Sequence, residues 1–173
     1  MRVAVLYEHP EWFLPLFAAL ERRGLDVLRL DAAALRWDPA EPPAFSLLLN
    51  RMSPSAHTRG HGHAIHAASA FIAWTESHGV PVVNGSAAYR LELSKSAQLD
   101  LLRRLRILSP RARVINTGTE APAAASGLRF PVVVKPNIGG SGAGIQRFET
   151  AAALADAAGR GALDLGVDAT ALV

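Results

Sequence analysis

The chain contains no cysteine, which excludes disulfide staples, thiolate metal sites and cysteine nucleophiles. It also lacks any apolar run near the roughly 20 residues that a membrane-spanning helix needs. The longest runs, around Ala4 and behind Pro131, are only a few residues. The opening MRVAVLYEHPEW reaches Tyr7 and Glu8 after four apolar residues, too few for the core of a secretion signal. Together these absences predict a cytoplasmic protein with no membrane partner. Lysine is nearly absent as well: Lys95 and Lys135 stand alone against 16 arginines. A position that keeps lysine in so arginine-rich a chain keeps a compact, mobile ammonium, which the planar guanidinium does not reproduce.

What is present describes a folded protein. Half of the 173 residues are hydrophobic and 19% are charged, enough for one ordinary domain or two small ones. The pI is about 9.9, yet the formal net charge is only +3. The densest basic run, residues 101–107, interleaves Arg103, Arg104 and Arg106 with leucines, as the solvated face of an amphipathic helix does. No nucleic-acid partner is expected from it.

Apolar runs and helical spacing alternate along the first half. RVAVLYE reads as a strand buried on both faces, and EWFLPLFAALERRG as a helix starting near Pro15. DVLRLD, FSLLLNR and VPVVNG read as further strands, with HAIHAASAFIAWTESHG as the helix between the last two. This alternation predicts an α/β, Rossmann-like parallel sheet over residues 1–86. Residues 87–173 begin a different pattern. A helix-rich segment has Ser86 and Ser94 as caps, followed by the short strand ARVIN, a strand–loop–strand over 130–148 and a helix capped by Thr150. DATALV then begins like a strand, which needs partners.

The loop in that second part carries chemistry. NIGGSGAG, residues 137–144, holds Gly139, Gly140, Gly142, Gly144 and Ser141. Successive amides in such a turn converge on an anion, and glycine permits the close approach. No Gly-Lys-Ser/Thr follows, and no spacing of the four glycines satisfies G-x-G-x-x-G, so neither familiar phosphate loop is present. Both of those open a helix, whereas GIQRF alternates like a returning strand. The loop therefore reads as the tip of a hairpin, a flap over a ligand, and the bland alternative is a flexible turn. Lys135 ends the run VVVK, whose three valines predict a largely buried strand; a phosphate would be the natural partner of its ammonium there.

FPVVVKPNIGGSGAGI resembles the glycine-rich flap of the ATP-grasp superfamily, and VPVVNGSAAYRLELSKSAQLDLLRRLRILSP resembles the segment before it. Order and spacing are most similar to RimK-type and glutathione-synthetase-like ligases. The resemblance implies a Rossmann-like N-terminal domain followed by the small α+β ATP-grasp subdomain. It implies that Lys95 and Lys135 contact ATP phosphates and that the flap, with Ser141, closes over the β- and γ-phosphates. It further implies ATP and Mg2+ as cofactors, and a carboxylate activated as an acyl phosphate for attack by an amine, the substrates being small molecules or peptides. The Mg2+ ligands of the family lie in a C-terminal half that these residues do not match. The Pro-x-Thr of the family appears here as Pro110-Arg111-Ala112.

Two more readings accompany this one. NRMSPSAHTRG is similar to N-terminal-domain loops of RimK-like proteins, so Asn50, Arg51, Ser53, Ser55 and Arg59 are candidates to meet a substrate carboxylate; a polar loop entering a helix is the plain alternative. His57, His61, His63 and His66 fall within ten positions but without an acidic or cysteine neighbour among them, so no metal site is assigned. The function expected is an ATP-dependent carboxylate–amine ligase, inactive in this part alone. The alternative is a non-catalytic nucleotide-binding or protein-interaction module, and a homo-oligomer is compatible with either.

Overall fold

The computed structural model describes residues 1–9 and 11–173. The chain forms two compact units, residues 1–90 and 91–173.

In the first unit, β1 (Arg2–Tyr7), α1 (Leu14–Arg22), β2 (Asp26–Asp31), β3 (Leu47–Asn50), α2 (Gly62–Ser77) and β4 (Val82–Val83) follow in order. The four strands pair in parallel as β2-β1-β3-β4. β1 is central, and its four consecutive buried residues reflect cover on both faces. Phe13 and Phe17 pack on Val5, while α2 buries Ala64, Ile65, Ala68 and Ile72. Pro15 lies in the first turn of α1, where its missing N–H has no partner to lose. The parallel order sends the C-terminal ends of β1, β3 and β4 to one edge, where Glu8, Arg51 and Asn84 follow their strands.

α3 (Ser86–Leu93) carries the boundary between the units, and α4 (Lys95–Arg104) follows it. Ser86 was expected as a cap; it is the first helical residue instead, and its hydroxyl is buried without a partner. Ser94 is a cap, its Oγ accepting from the Ala97 amide at 3.2 Å. Next come β5 (Val114–Ile115), α5 (Ala121–Ala125), β6 (Val132–Pro136), β7 (Gln146–Phe148), α6 (Ala151–Gly159) and β8 (Ala171–Leu172). The four strands make an antiparallel sheet in the order β5-β8-β6-β7. The architecture is therefore mixed α/β, with a parallel sheet in one unit and an antiparallel sheet in the other. β8, the last to form in sequence, lies inside the sheet, paired on one side with β5 and on the other with β6.

Only one face of the second sheet is covered. Val132 and Val134 point into a core with Ile115 of β5, Ala124 and Ala125 of α5 and Leu154 of α6. The buried positions Leu154, Ala157 and Ala158 have helical i, i+3, i+4 spacing. Val133, 45% exposed, and the half-buried Lys135 alternate onto the other face. The strand read from VVVK as largely buried has three of its five residues buried, in the period-two alternation of a half-covered sheet that its uniform composition does not display.

Leu154 is fully buried, so Leu154→Ala leaves a cavity under the second sheet and is expected to lower unfolding stability by about 2–5 kcal/mol. Urea denaturation measures this, and a loss under about 1 kcal/mol would mean that α6 is not part of this core.

Candidate functional site

α4 starts where β6 ends. Lys95, the first residue of α4, donates from Nζ to the carbonyls of Asn137 at 2.9 Å and Gly139 at 3.4 Å. Asn137 is buried, and its side chain ties three segments together. Its Oδ1 accepts from the Ser96 amide at 3.0 Å and the Ser94 hydroxyl at 3.3 Å. Its Nδ2 donates to Asp168 Oδ2 at 2.8 Å, and its main-chain N–H donates to the Thr170 carbonyl at 2.8 Å.

From that root the chain turns through residues 138–145 before returning as β7, so the glycine-rich stretch joins two antiparallel strands. The far root is clamped by Gln146, which accepts from the Asp164 amide and donates to the Ala162 carbonyl, both at 2.8 Å. Gly144 is required twice over: its φ is +73°, and a Cβ would lie 2.4 Å from Asp164 Oδ2 and 2.7 Å from Pro136 Cγ. Ser141 adopts φ +55°, unusual without glycine, and with Gly142 forms the exposed tip. The loop thus has a fixed base and an open tip.

Beside this base lies a cavity of about 660 Å³ in the second unit. Lys95, Lys135, Arg111 and Arg129 bring four cationic side chains to it, and Leu99, Val133 and Leu172 are among its apolar walls. Among the described residues, no acidic side chain lines it. The Lys95 ammonium is held below the ordinary lysine range, first by burial and second by the charge of Lys135, while Asp168 opposes the shift. Two ammonium groups that repel one another across an apolar cavity concentrate positive charge there. The structure brings Lys95 and Lys135 to the same cavity from different elements. Gly139 meets Lys95 through its carbonyl, whereas Gly140, Ser141, Gly142 and Gly144 are in the loop and not in the cavity wall. Arg111, Arg129, Asn137 and Asp168 were not singled out as site residues from sequence. The replacement of the family's Pro-x-Thr by Pro110-Arg111-Ala112 was the one signal that could have drawn attention to Arg111.

The loop proposed for a substrate carboxylate follows β3. Asn50 is buried, with Oδ1 on the Met52 amide at 3.0 Å and Nδ2 on the Asn84 carbonyl at 2.9 Å. Ser53 and Ser55 bond each other through their hydroxyls at 2.9 Å, and Ser53 caps the short helical turn Pro54–Arg59. Arg59 Nε lies 3.0 and 3.1 Å from the carboxylate oxygens of Glu8, and its Nη2 is also paired with that carboxylate. His61 Nδ1 is 2.6 Å from Glu8 Oε1. Of the two arginines, Arg51 keeps its guanidinium free of an ion pair among the described residues, lying 5.5 Å over the Phe13 ring. Glu8 was missed because its partners lie more than 50 positions away, though an acidic residue closing an apolar strand could have flagged it.

The histidines are occupied separately. His57 Nδ1 is 2.8 Å from the Pro54 carbonyl and His63 Nε2 is 3.2 Å from that of Ala33, while His66 lies on α2. Among the described residues no three metal-ligating side chains converge, and no helix is long and apolar enough to cross a membrane.

No protein-family model matches the chain, and no curated protein sequence does either. Solved structures do. Over its whole length the chain is similar to a RimK domain protein ATP-grasp from Sphaerobacter thermophilus, with 28% identity, a TM-score of 0.70 and 62% of that protein covered. It shares 15% identity and a TM-score of 0.68 with D-alanyl-alanine synthetase A from Vibrio cholerae, covering 99% of this chain and 58% of that one. With the ATP-grasp ligase PsnB, solved with a minimal precursor, identity is 19% and the TM-score 0.59, over 98% of this chain and 62% of that one. The chain therefore spans about 60% of the length of these proteins.

The bond to Arg59, and secondarily that to His61, hold the Glu8 carboxyl below the usual carboxylate range against the opposing effect of burial. Its folded value is the lower one, so the stabilisation is complete above about pH 4.3, the unfolded glutamate value, and is lost as pH falls through the folded value. Glu8→Gln is expected to cost about 1–3 kcal/mol at pH 7 and to flatten stability below pH 4.3. Urea midpoints across that range measure it, and parallel curves for the two proteins would remove Glu8 from acid unfolding.

Proposed function

We propose that this chain, which has the fold of the N-terminal part of an ATP-grasp ligase, supplies the phosphate-binding wall of an ATP-dependent carboxylate–amine ligase. The observation that carries the reading is the convergence of the only two lysines, from α4 and β6, on one cavity without a carboxylate. Their ammonium groups bind the ATP phosphates, and Gly139, Gly140, Ser141, Gly142 and Gly144 form the flap that closes over them.

The chemistry proposed is activation followed by transfer. A substrate carboxylate oxygen attacks the γ-phosphorus, ADP leaves, and an acyl phosphate forms. An amine then attacks the acyl carbon, expelling inorganic phosphate and leaving an amide. The cations on the cavity wall stabilise charge that moves onto the phosphates, and a closed flap keeps water from the acyl phosphate. In the first unit, Arg51 is the residue of the β3 loop best able to meet a carboxylate, since Asn50, Ser53, Ser55 and Arg59 already have partners.

Mg2+ does not fit the residues that line this cavity, because they offer cations where the metal needs carboxylates. Its ligands would belong to the part of the fold that the similar structures have and this chain does not span. The same observation favours a second reading for the chain by itself, a nucleotide-binding module without catalysis.

Lys135→Ala is expected to weaken ATP binding about 10- to 100-fold, the worth of a charge-assisted hydrogen bond to phosphate. Calorimetric titration of the chain with ATP measures this. Equal affinity in the variant would remove Lys135 from the nucleotide site.

A further inference from the structure

We propose that Asn137 is the positioning residue for the Lys95 ammonium, anchoring the start of α4 to the root of the glycine loop; this rests on the reading of the cavity as a nucleotide site.

Every polar group of Asn137 has a partner, and the partners belong to the two segments that frame Lys95. The amide oxygen takes the Ser96 amide and the Ser94 hydroxyl, which locks the first turn of α4. The amide nitrogen holds Asp168, and the main-chain N–H holds Thr170, which locks the approach to β8. The main-chain carbonyl receives Lys95 Nζ itself at 2.9 Å. A side chain of this length must accept at one end and donate at the other, which aspartate and leucine cannot do.

The consequence for Lys95 follows from donor counting. An ammonium has three N–H groups. Two are directed to the carbonyls of Asn137 and Gly139, which leaves one for a ligand. A long flexible side chain held at its tip in this way reaches an incoming phosphate with little rotamer freedom still to lose. Asp168 contributes from behind: one carboxylate oxygen is bonded to Asn137, and the other is buried without a hydrogen-bond partner among the described residues. Its charge favours the protonated form of Lys95 against burial and the repulsion of Lys135.

The two-lysine composition makes this directly measurable. Protein grown with 13C-labelled lysine carries two labelled side chains, Lys95 and Lys135, assigned by comparison with Lys135→Ala. Three proteins are titrated with pH and with ATP: the wild type, Asn137→Ala, and the exchanged pair Asn137→Asp/Asp168→Asn, which reverses the amide and the carboxylate but keeps an acceptor for Ser96 and a donor between the two side chains. In Asn137→Ala the Lys95 midpoint is expected to move up toward the ordinary lysine value, with a smaller change at Lys135, and ATP affinity to fall about tenfold. The exchanged pair is expected to recover both. The proposal is overturned if Lys95 titrates as in the wild type, if both lysines shift equally, or if the exchange restores neither property. Should the alanine variant fail to fold, the exchanged pair decides: wild-type titration of Lys95 supports the proposal and a displaced midpoint overturns it. If the wild type binds no ATP, the nucleotide reading fails, while the Lys95 midpoints still decide the role of Asn137.

Discussion

The amide of Asn137 is the point on which the second unit's cavity depends. It lies at the junction of α4, β6 and the segment leading to β8, all of which present main-chain polar groups to a buried space. Buried polar groups need partners, and here one residue supplies them, through both ends of its side chain and through its main chain. Because the junction is satisfied, Lys95 can project from the first residue of a helix with its tip already fixed. Because β6 is covered by helices on one face only, Lys135 emerges on the other, toward the same cavity. Two isolated cations come to line one cavity through these constraints.

The first unit resolves a similar problem differently. Glu8 follows the central strand of a parallel sheet and is buried there, a costly place for a carboxylate unless it is paired. Arg59 and His61, from the turn after β3, compensate it. That commitment removes Arg59 as a lone cation, while Arg51 keeps its charge available. The same edge of the sheet therefore holds one neutralised arginine and one without an ion pair among the described residues, a distinction invisible in the string NRMSPSAHTRG.

Much of the secondary structure was legible. β2 spans the residues of DVLRLD, and Thr150 and Ser94 cap the helices after them, because strand alternation and hydroxyl caps are local signals. The strand–loop–strand form of 130–148 was also readable, since GIQRF, which follows the glycines, alternates instead of opening a helix. What local sequence did not display was burial that depends on distant partners. Three valines look alike whether one face or two are covered, and only α5 and α6 packing on one side separates Val132 and Val134 from Val133. DATALV reads as the beginning of a strand, and β8 is one; what the sequence did not display is that it is an interior strand with β5 and β6 on either side.

Sequence by itself determined the alternation of strand and helix, the glycine loop with its returning strand, and the presence of only two ammonium side chains. These follow from side-chain size, branching and spacing along a few residues. Tertiary structure decided that Lys95 and Lys135, 40 positions apart, line one cavity with Arg111 and Arg129, and that Asn137 holds one of them in place. It also decided that Glu8 and Arg59 neutralise each other. The physical reason is that charge is local in sequence while its free energy depends on the dielectric and the partners that packing brings within a few ångströms.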